Sequence, residues 1–288
     1  MSGYRAFENN RRGFIKNLTG LSLFFLAKPL KSINIIEETP NNTMQILRKK
    51  DQMNGAIFNG NFIVNKPVVN GYGANVAPYS NLFYWSHSVA IEDCQFPLHP
   101  HEGFEIMTFI LKGSVQHYDT ATQVWTPLEA GDFQVINSNK GIEHSEKMLK
   151  NGRAFQIWFD PNFRKAIELA PSYKDYRAKD FKPLAADGLS VTAYIGGNST
   201  AKSSTEGLSI KKIGFEKTGT FSVNLNTESI YTFYVLEGEI EVNNQELVID
   251  DAFRLTDTKQ VSLTTNNSLT QLFVIEVPKQ NAYKSIWE

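Results

Sequence analysis

The chain has 288 residues, 41 % of them hydrophobic, which suits two soluble globular domains each able to bury its own core. Lysine and arginine (29) nearly balance aspartate and glutamate (30), and the folded region holds no basic run, which argues against a nucleic-acid partner. The single cysteine, Cys94, excludes an internal disulfide and a cysteine-rich zinc or iron–sulfur site, and reads as a buried, inert thiol.

Residues 1–32 carry six basic side chains against one acidic, with an apolar run from Leu18 to Ala27. Ten residues are too few to span a bilayer but enough for the apolar centre of a signal peptide, so no membrane span is expected. Arg11-Arg12-Gly13-Phe14-Ile15-Lys16 resembles a twin-arginine export signal, with Asn10 in place of the usual Ser or Thr and Ile15 in place of Leu. The expectation is export to the periplasm. The competing reading is an amphipathic N-terminal helix on a cytoplasmic protein.

Past residue 40 the pattern is all-β. Residues 104–119, 126–138 and 153–160 are short runs rich in Ile, Val, Phe and Tyr, bounded by Gly, Asn, Asp or Pro. Helical periodicity is confined to a stretch between residues 162 and 176. A loop-rich segment from 177 to 205 separates these strands from a second series that begins near Leu208. The expected organisation is a leader and linker over 1–40, an N-terminal domain over 41–176, a join over 177–205 and a C-terminal domain over 206–288. Strands at this spacing indicate a sandwich or barrel.

The halves resemble each other. FEIMTFILKGSVQHYD and ESIYTFYVLEGEIEVN align on Gly113 and Gly238, which suggests a duplicated β-domain. The offset of 125 places Asn224 and Asn226 opposite His99 and His101, so the second copy has the scaffold without the imidazoles.

Two of the five histidines flank one proline in FPLHPHEGFE. In extended backbone His99 and His101 share a face about 6.6 Å apart along the strand, and their rings can converge on one ion. Pro100 blocks a helix there. His144 and Glu146 repeat the spacing in NKGIEHSEKM. Three imidazoles and a carboxylate make a site for a borderline divalent metal with open positions. Glu105 has the parity of His99 and His101 and competes with Glu146 for the fourth place. His87 and His117 are expected to be structural, His117 with a possible contact to the surroundings of the site.

FPLHPHEGFEIMTFILKGSVQHYD followed by LEAGDFQVINSNKGIEHSEKM is similar to the pirin family of the cupin superfamily, and YVLEGEIEVN resembles the pirin C-terminal cupin. The resemblance implies two tandem cupin barrels, a bicupin, with metal only in the N-terminal one. It carries the family's ligands to His99, His101, His144 and Glu146. The implied cofactor is one divalent ion, iron first, with Mn, Co, Ni, Cu or Zn admissible. The chain departs from the family pattern at Glu102, where Arg or Lys is common, and at Val135-Ile136-Asn137 in place of a Trp-Met run.

The implied activity is that of a quercetin 2,3-dioxygenase: opening of a flavonol-type aromatic hydroxy-ketone by O2, with Glu146 as the catalytic proton acceptor. Phe96, Phe104, Phe109, Phe133 and Trp125 are candidates for an apolar pocket, against ordinary core packing as the alternative reading of each. A metal-dependent regulatory pirin that binds other proteins, or a cupin isomerase or hydrolase acting without O2, are the other functions consistent with the residues. The leader carries its own prediction. A reporter fused to residues 1–40 is expected to be exported, and Arg11→Lys with Arg12→Lys to hold it in the cytoplasm, as read by cell fractionation with N-terminal sequencing.

Overall fold

The computed structural model describes residues 44–288, so the segment read as an export leader lies outside the described residues. The chain folds into two β-barrels. In the first, a seven-stranded sheet runs in the order Ser172–Tyr176, Phe133–Asn137, Glu105–Lys112, Arg153–Phe159, Leu82–Ala90, Phe62–Val69 and Met53–Ile57. A four-stranded sheet of Cys94–His101, Ile142–Met148, Ser114–Asp119 and Thr126–Glu129 completes it. The second barrel repeats this plan, with Gly219–Asn224, Gln260–Thr265, Glu239–Val242 and Gln245–Val248 as its four-stranded sheet.

The repeat read from the sequence is visible in the backbone. Gly113 and Gly238 end equivalent strands with φ of 69° and 70°, a conformation that favours glycine. A Cβ at Gly113 would lie 3.1 Å from the Gly152 backbone, and one at Gly238 2.4 Å from the Thr270 hydroxyl.

Two segments fall elsewhere than the sequence suggests. Met44–Leu47 pairs with Ala252–Leu255, so the first described strand joins the second barrel's sheet. Leu184–Ala186 and Leu189–Ile195, inside the segment read as a loop-rich join, form the other edge of that sheet. Gly188 and the small residues around it masked a short hairpin, because a three-residue strand has almost no alternation to detect. The helical stretch shrinks to one turn, Phe163–Ala166. Pro171 stops it, and Ser172–Tyr176 pairs with Phe133–Asn137 instead.

Alternation along the strands sends every second residue of the large sheets toward the neighbouring barrel. Trp85, Met107, Phe109, Phe155 and Ile157 of the first barrel form one buried cluster with Tyr234, Phe273 and Ile275 of the second. The opposite face of the second sheet fills its own barrel with Phe233, Val235, Phe253, Leu272 and Val274. The interior core of the first barrel is smaller, made of Phe62, Cys94, Ile110, Val115, Leu128 and Met148. Cys94 is buried there, as its sequence context suggested.

A polar network crosses the barrel interface. The Asn65 amide donates to Gln52 Oε1 (2.6 Å) and to the Tyr234 hydroxyl (3.0 Å), and that hydroxyl donates to Asp250 Oδ1 (3.1 Å). His87 Nδ1 donates to Asn65 Oδ1 (3.0 Å), and Arg153 Nε donates to His87 Nε2 (3.2 Å). His87 is therefore structural. Burial is the main cause that lowers its pKa to about 4, with Arg153 and Lys49 adding to it and Asp250 opposing.

This makes an acid-stability prediction. Because the folded pKa lies below the ordinary value of 6.5, the unfolded chain binds the proton first, and stability is lost as pH falls from about 6.5 to 4. His87 should account for a loss on the order of 3 kcal/mol across that window. In urea unfolding, His87→Gln should be less stable than the parent at pH 7, with a gap that narrows by pH 4. A gap that stays constant would show that His87 does not titrate on unfolding.

Candidate metal centre

The site is built on the four-stranded sheet. His144 lies directly opposite His99 on one side and Asp119 on the other, so the three side chains share a face. Glu146 lies opposite His117 in the next row. The register between the two outer residues slips by one between His144 and Glu146, where Pro97 sits on the edge strand. Proline has no N–H to give a ladder, so an edge strand with an irregularity is where it fits. The freed Pro97 carbonyl accepts a hydrogen bond from His99 Nδ1 at 2.8 Å, which leaves Nε2 with its lone pair.

His99, His101 and His144 converge. Their ring centroids are 4.4 to 4.9 Å apart, and one nitrogen of each lies within 4.8 Å of the others. His101 is 1 % and His144 0 % exposed, yet both nitrogens of each ring lack a hydrogen-bond partner. Burial pushes the His101 pKa down to about 3, with His99 adding to the effect, and it holds His144 well below the ordinary range. Both rings are therefore neutral at pH 7. Four unpartnered buried nitrogens cost about 1 to 3 kcal/mol each, which is poor structural economy and good preparation for an electrophile. These residues fit a divalent ion of the borderline class.

Glu146 stands at the side of this group. Both its carboxylate oxygens accept hydrogen bonds from Gln156 Nε2 (2.9 and 3.0 Å), and Gln156 Oε1 in turn accepts from Trp158 Nε1 (3.2 Å). The orientation of Glu146 is thus set from the large sheet across the barrel.

Glu105, the competing carboxylate, is engaged elsewhere. It is fully buried and accepts hydrogen bonds from Ser203 Oγ (2.6 Å), Ser204 N (2.9 Å) and Thr205 Oγ1 (2.7 Å). The parity argument failed because the chain is not extended from Phe96 to Leu111. Gly103, with φ of 82°, turns it between two sheets. A Cβ at Gly103 would lie 2.2 Å from the Phe163 ring, so the turn requires glycine.

Of the five pocket candidates only Phe104 reaches the site, with its ring 5.2 Å from His101. Phe109 and Phe133 stack on each other in the core between the barrels (4.7 Å), Phe96 packs on Phe58 and Phe62, and Trp125 lies against Tyr118 under the Lys147 ammonium. The aromatic wall comes instead from Trp158, 5.3 Å from His101, with Phe83 and Tyr84 beside it. Alternation along RAFQIWF held the signal. Phe155, Ile157 and Phe159 are fully buried, so Gln156 and Trp158 must face the other side.

His117 is the second correction. It is 1 % exposed, and its Nε2 donates to Asp119 Oδ2 at 3.1 Å. Its Nδ1 has no partner, and His117, His144 and Glu146 offer ligand atoms within 4.8 Å of one another. His117 is part of the polar wall of the site rather than a surface or distant structural residue. The His-x-Asp pair, spaced like His-x-His and His-x-Glu, was the available signal.

The comparisons with known proteins agree with this geometry. The family model described as Pirin matches residues 72–159, and that described as quercetinase C-terminal cupin domain matches 207–277. A pirin-like protein of Solanum lycopersicum is 34 % identical over 132 residues, which cover 45 % of this chain and 43 % of the tomato protein. The crystal structure of bacterial pirin YhhW from Escherichia coli, in complex with nickel(II), has a TM-score of 0.68 at 20 % identity, covering 82 % of this chain and 99 % of that one. Quercetin 2,3-dioxygenase from Acinetobacter baumannii gives 0.69 at 19 % identity, covering 83 % and 80 %. These two structures share the fold over both barrels. The segment that carries the imidazole cluster therefore resembles the pirin domain and the segment behind it the quercetinase C-terminal cupin domain, while the chain spans less than half the length of the tomato protein it matches.

Proposed function

We propose that the protein is a metal-dependent dioxygenase that opens a flavonol-type aromatic hydroxy-ketone with O2. The observation that carries this reading is the set of neutral, buried and unpartnered imidazoles beside an aromatic wall that is itself partly exposed. Nickel(II) in the E. coli pirin and the dioxygenase named for the Acinetobacter structure support it by likeness of fold.

His99, His101, His144 and Glu146 would hold the ion, which supplies Lewis acidity that lowers the pKa of a substrate hydroxyl. The remaining work belongs to the chain. Trp158, partly exposed and backed by the buried Phe104 ring, offers a surface on which a planar substrate can stack, worth about 0.5 to 1.5 kcal/mol per pair beyond area burial. Glu146 takes the hydroxyl proton onto a carboxylate oxygen, and Gln156 keeps that carboxylate aimed. The neutral His101 and His144 rings require no proton loss before they can act as ligands at pH 7.

The test is metal analysis of the purified protein, followed by oxygen uptake with a flavonol panel. His99→Ala, His101→Ala and His144→Ala should each abolish stoichiometric metal while the barrels stay folded. Glu146→Gln should bind metal nearly as well and lose activity by about 100-fold or more, since an amide offers an oxygen but accepts no proton. Full metal occupancy in His144→Ala would remove the proposed site. Metal binding with no oxygen uptake on any flavonol would replace the enzyme by a metal-dependent binding protein.

A further inference from the structure

His117 has no part in the proposed reaction, yet it is buried beside the imidazole cluster with one ring nitrogen unpaired. Its Nε2 lies 3.1 Å from Asp119 Oδ2. An ionised carboxylate can only accept, so the ring hydrogen sits on Nε2 and Nδ1 keeps a lone pair. Asp119 is itself held in place, because its Oδ1 accepts from Ala121 N (2.8 Å) and Thr122 N (2.7 Å) and its Oδ2 from the Thr122 hydroxyl (3.1 Å). A locked carboxylate thus locks a neutral histidine as an acceptor.

His144 needs such an acceptor. When one nitrogen of a neutral imidazole gives its lone pair to an ion, the other carries a hydrogen. His144 is 0 % exposed, and a buried N–H left unpaired forfeits about 1 to 3 kcal/mol. The acceptors beside it are largely claimed. Asp119, directly opposite on the ladder, already serves Ala121, Thr122 and His117, and both Glu146 oxygens accept from Gln156. His117 is the neighbour with a lone pair to spare. The two rings lie 5.4 Å apart at 56°, and one ring nitrogen of each falls within 4.8 Å of the other and of a Glu146 oxygen. The outer torsion of histidine is soft, so nitrogens this close meet by a turn of either ring.

We infer that His117 is a positioning residue for His144: its Nδ1 accepts the hydrogen of the His144 nitrogen that does not ligate, and Asp119 keeps His117 in the tautomer that can accept. Outer partners of this kind fix the orientation of a ligating imidazole and raise its basicity. The inference rests on the imidazole cluster holding an ion, and it concerns affinity rather than turnover.

Competition titration of the full chain with zinc(II) against a chromophoric chelator at neutral pH tests it. His117→Phe, which keeps a ring and removes the acceptor, should weaken zinc binding about 10- to 100-fold. His117→Gln should stay within about threefold of the parent, because an amide can donate to Asp119 and still offer an oxygen. Asp119→Asn should match His117→Phe. The Ala121 and Thr122 N–H groups hold the side-chain oxygen at the Oδ1 place, so the new amide nitrogen donates to His117 Nε2 and moves the ring hydrogen to Nδ1, against the His144 N–H. In the His117→Phe background the same change should add little. Long-range proton–nitrogen NMR of the zinc-loaded protein should show a slowly exchanging His144 N–H in the parent and in His117→Gln, and its loss in His117→Phe. Parent-like zinc affinity in His117→Phe, equal losses in His117→Gln and His117→Phe, or additive losses in the double variant would overturn the inference and leave the metal centre standing. Absence of zinc binding by the parent would remove both.

Discussion

The structure depends on one register. His144 stands directly opposite His99 across an antiparallel ladder, and because opposed residues share a face, both rings must point the same way. A slip of one residue between the two strands would put the two rings on opposite faces of the sheet. The register is pinned from outside the pair. Pro97 breaks the ladder where it can do so on an edge strand, and its carbonyl fixes the tautomer of His99. On the other side Asp119 lies opposite His144 and holds His117 through Nε2, while Ala121 N, Thr122 N and the Thr122 hydroxyl all donate to the Asp119 carboxylate. The imidazole cluster is thus assembled by backbone pairing.

Such a set costs stability, and the rest of the molecule offsets the cost. Four unpartnered buried nitrogens together forfeit several kcal/mol, against a net stability of about 5 to 15 kcal/mol for a typical domain. The first barrel cannot offset that from its small interior core alone. Its large sheet therefore gains from the second barrel, whose Phe273 and Tyr234 pack on Trp85 and Phe155. The second barrel can serve this way because its own interior is apolar, with Phe233 stacked on Phe253 at 4.7 Å.

How much of this was legible in the sequence differs by kind of information. Local alternation gave the strands, and the glycines that end equivalent strands gave the duplication. The pairs two residues apart picked out the three histidines that the fold brings together, because spacing within one strand fixes the face. What spacing cannot cross is a turn. Glu105 looked equivalent to His101 only while Gly103 was read as extended. Phe109 and Phe133 looked like pocket aromatics only while the face that covers the second barrel was unassigned. Trp158, Gln156 and His117 enter the site through tertiary closure, and no local pattern states which of two faces closes on which partner. The hairpin around Gly188 and the exchange of Met44–Leu47 onto the second barrel were missed for the same reason.

The second barrel shows what the scaffold does when the imidazoles are absent. On the equivalent pair of strands Val223 lies opposite Val261, and both side chains join the apolar interior of the second barrel with Phe221 and Leu263. Asn224 and Gln260, which the sequence offset set against the histidines, are exposed and bond to each other at 3.0 Å on the outer face. An aliphatic side chain offers an ion no donor atom, whereas a neutral imidazole does. The same ladder therefore supports either an apolar pair or an unsatisfied imidazole pair, and only the second leaves lone pairs for an outside electrophile. Since the backbone is shared, the chemical asymmetry of the two barrels rests on the side chains at these few opposed positions. It does not require any difference in the way the barrels fold.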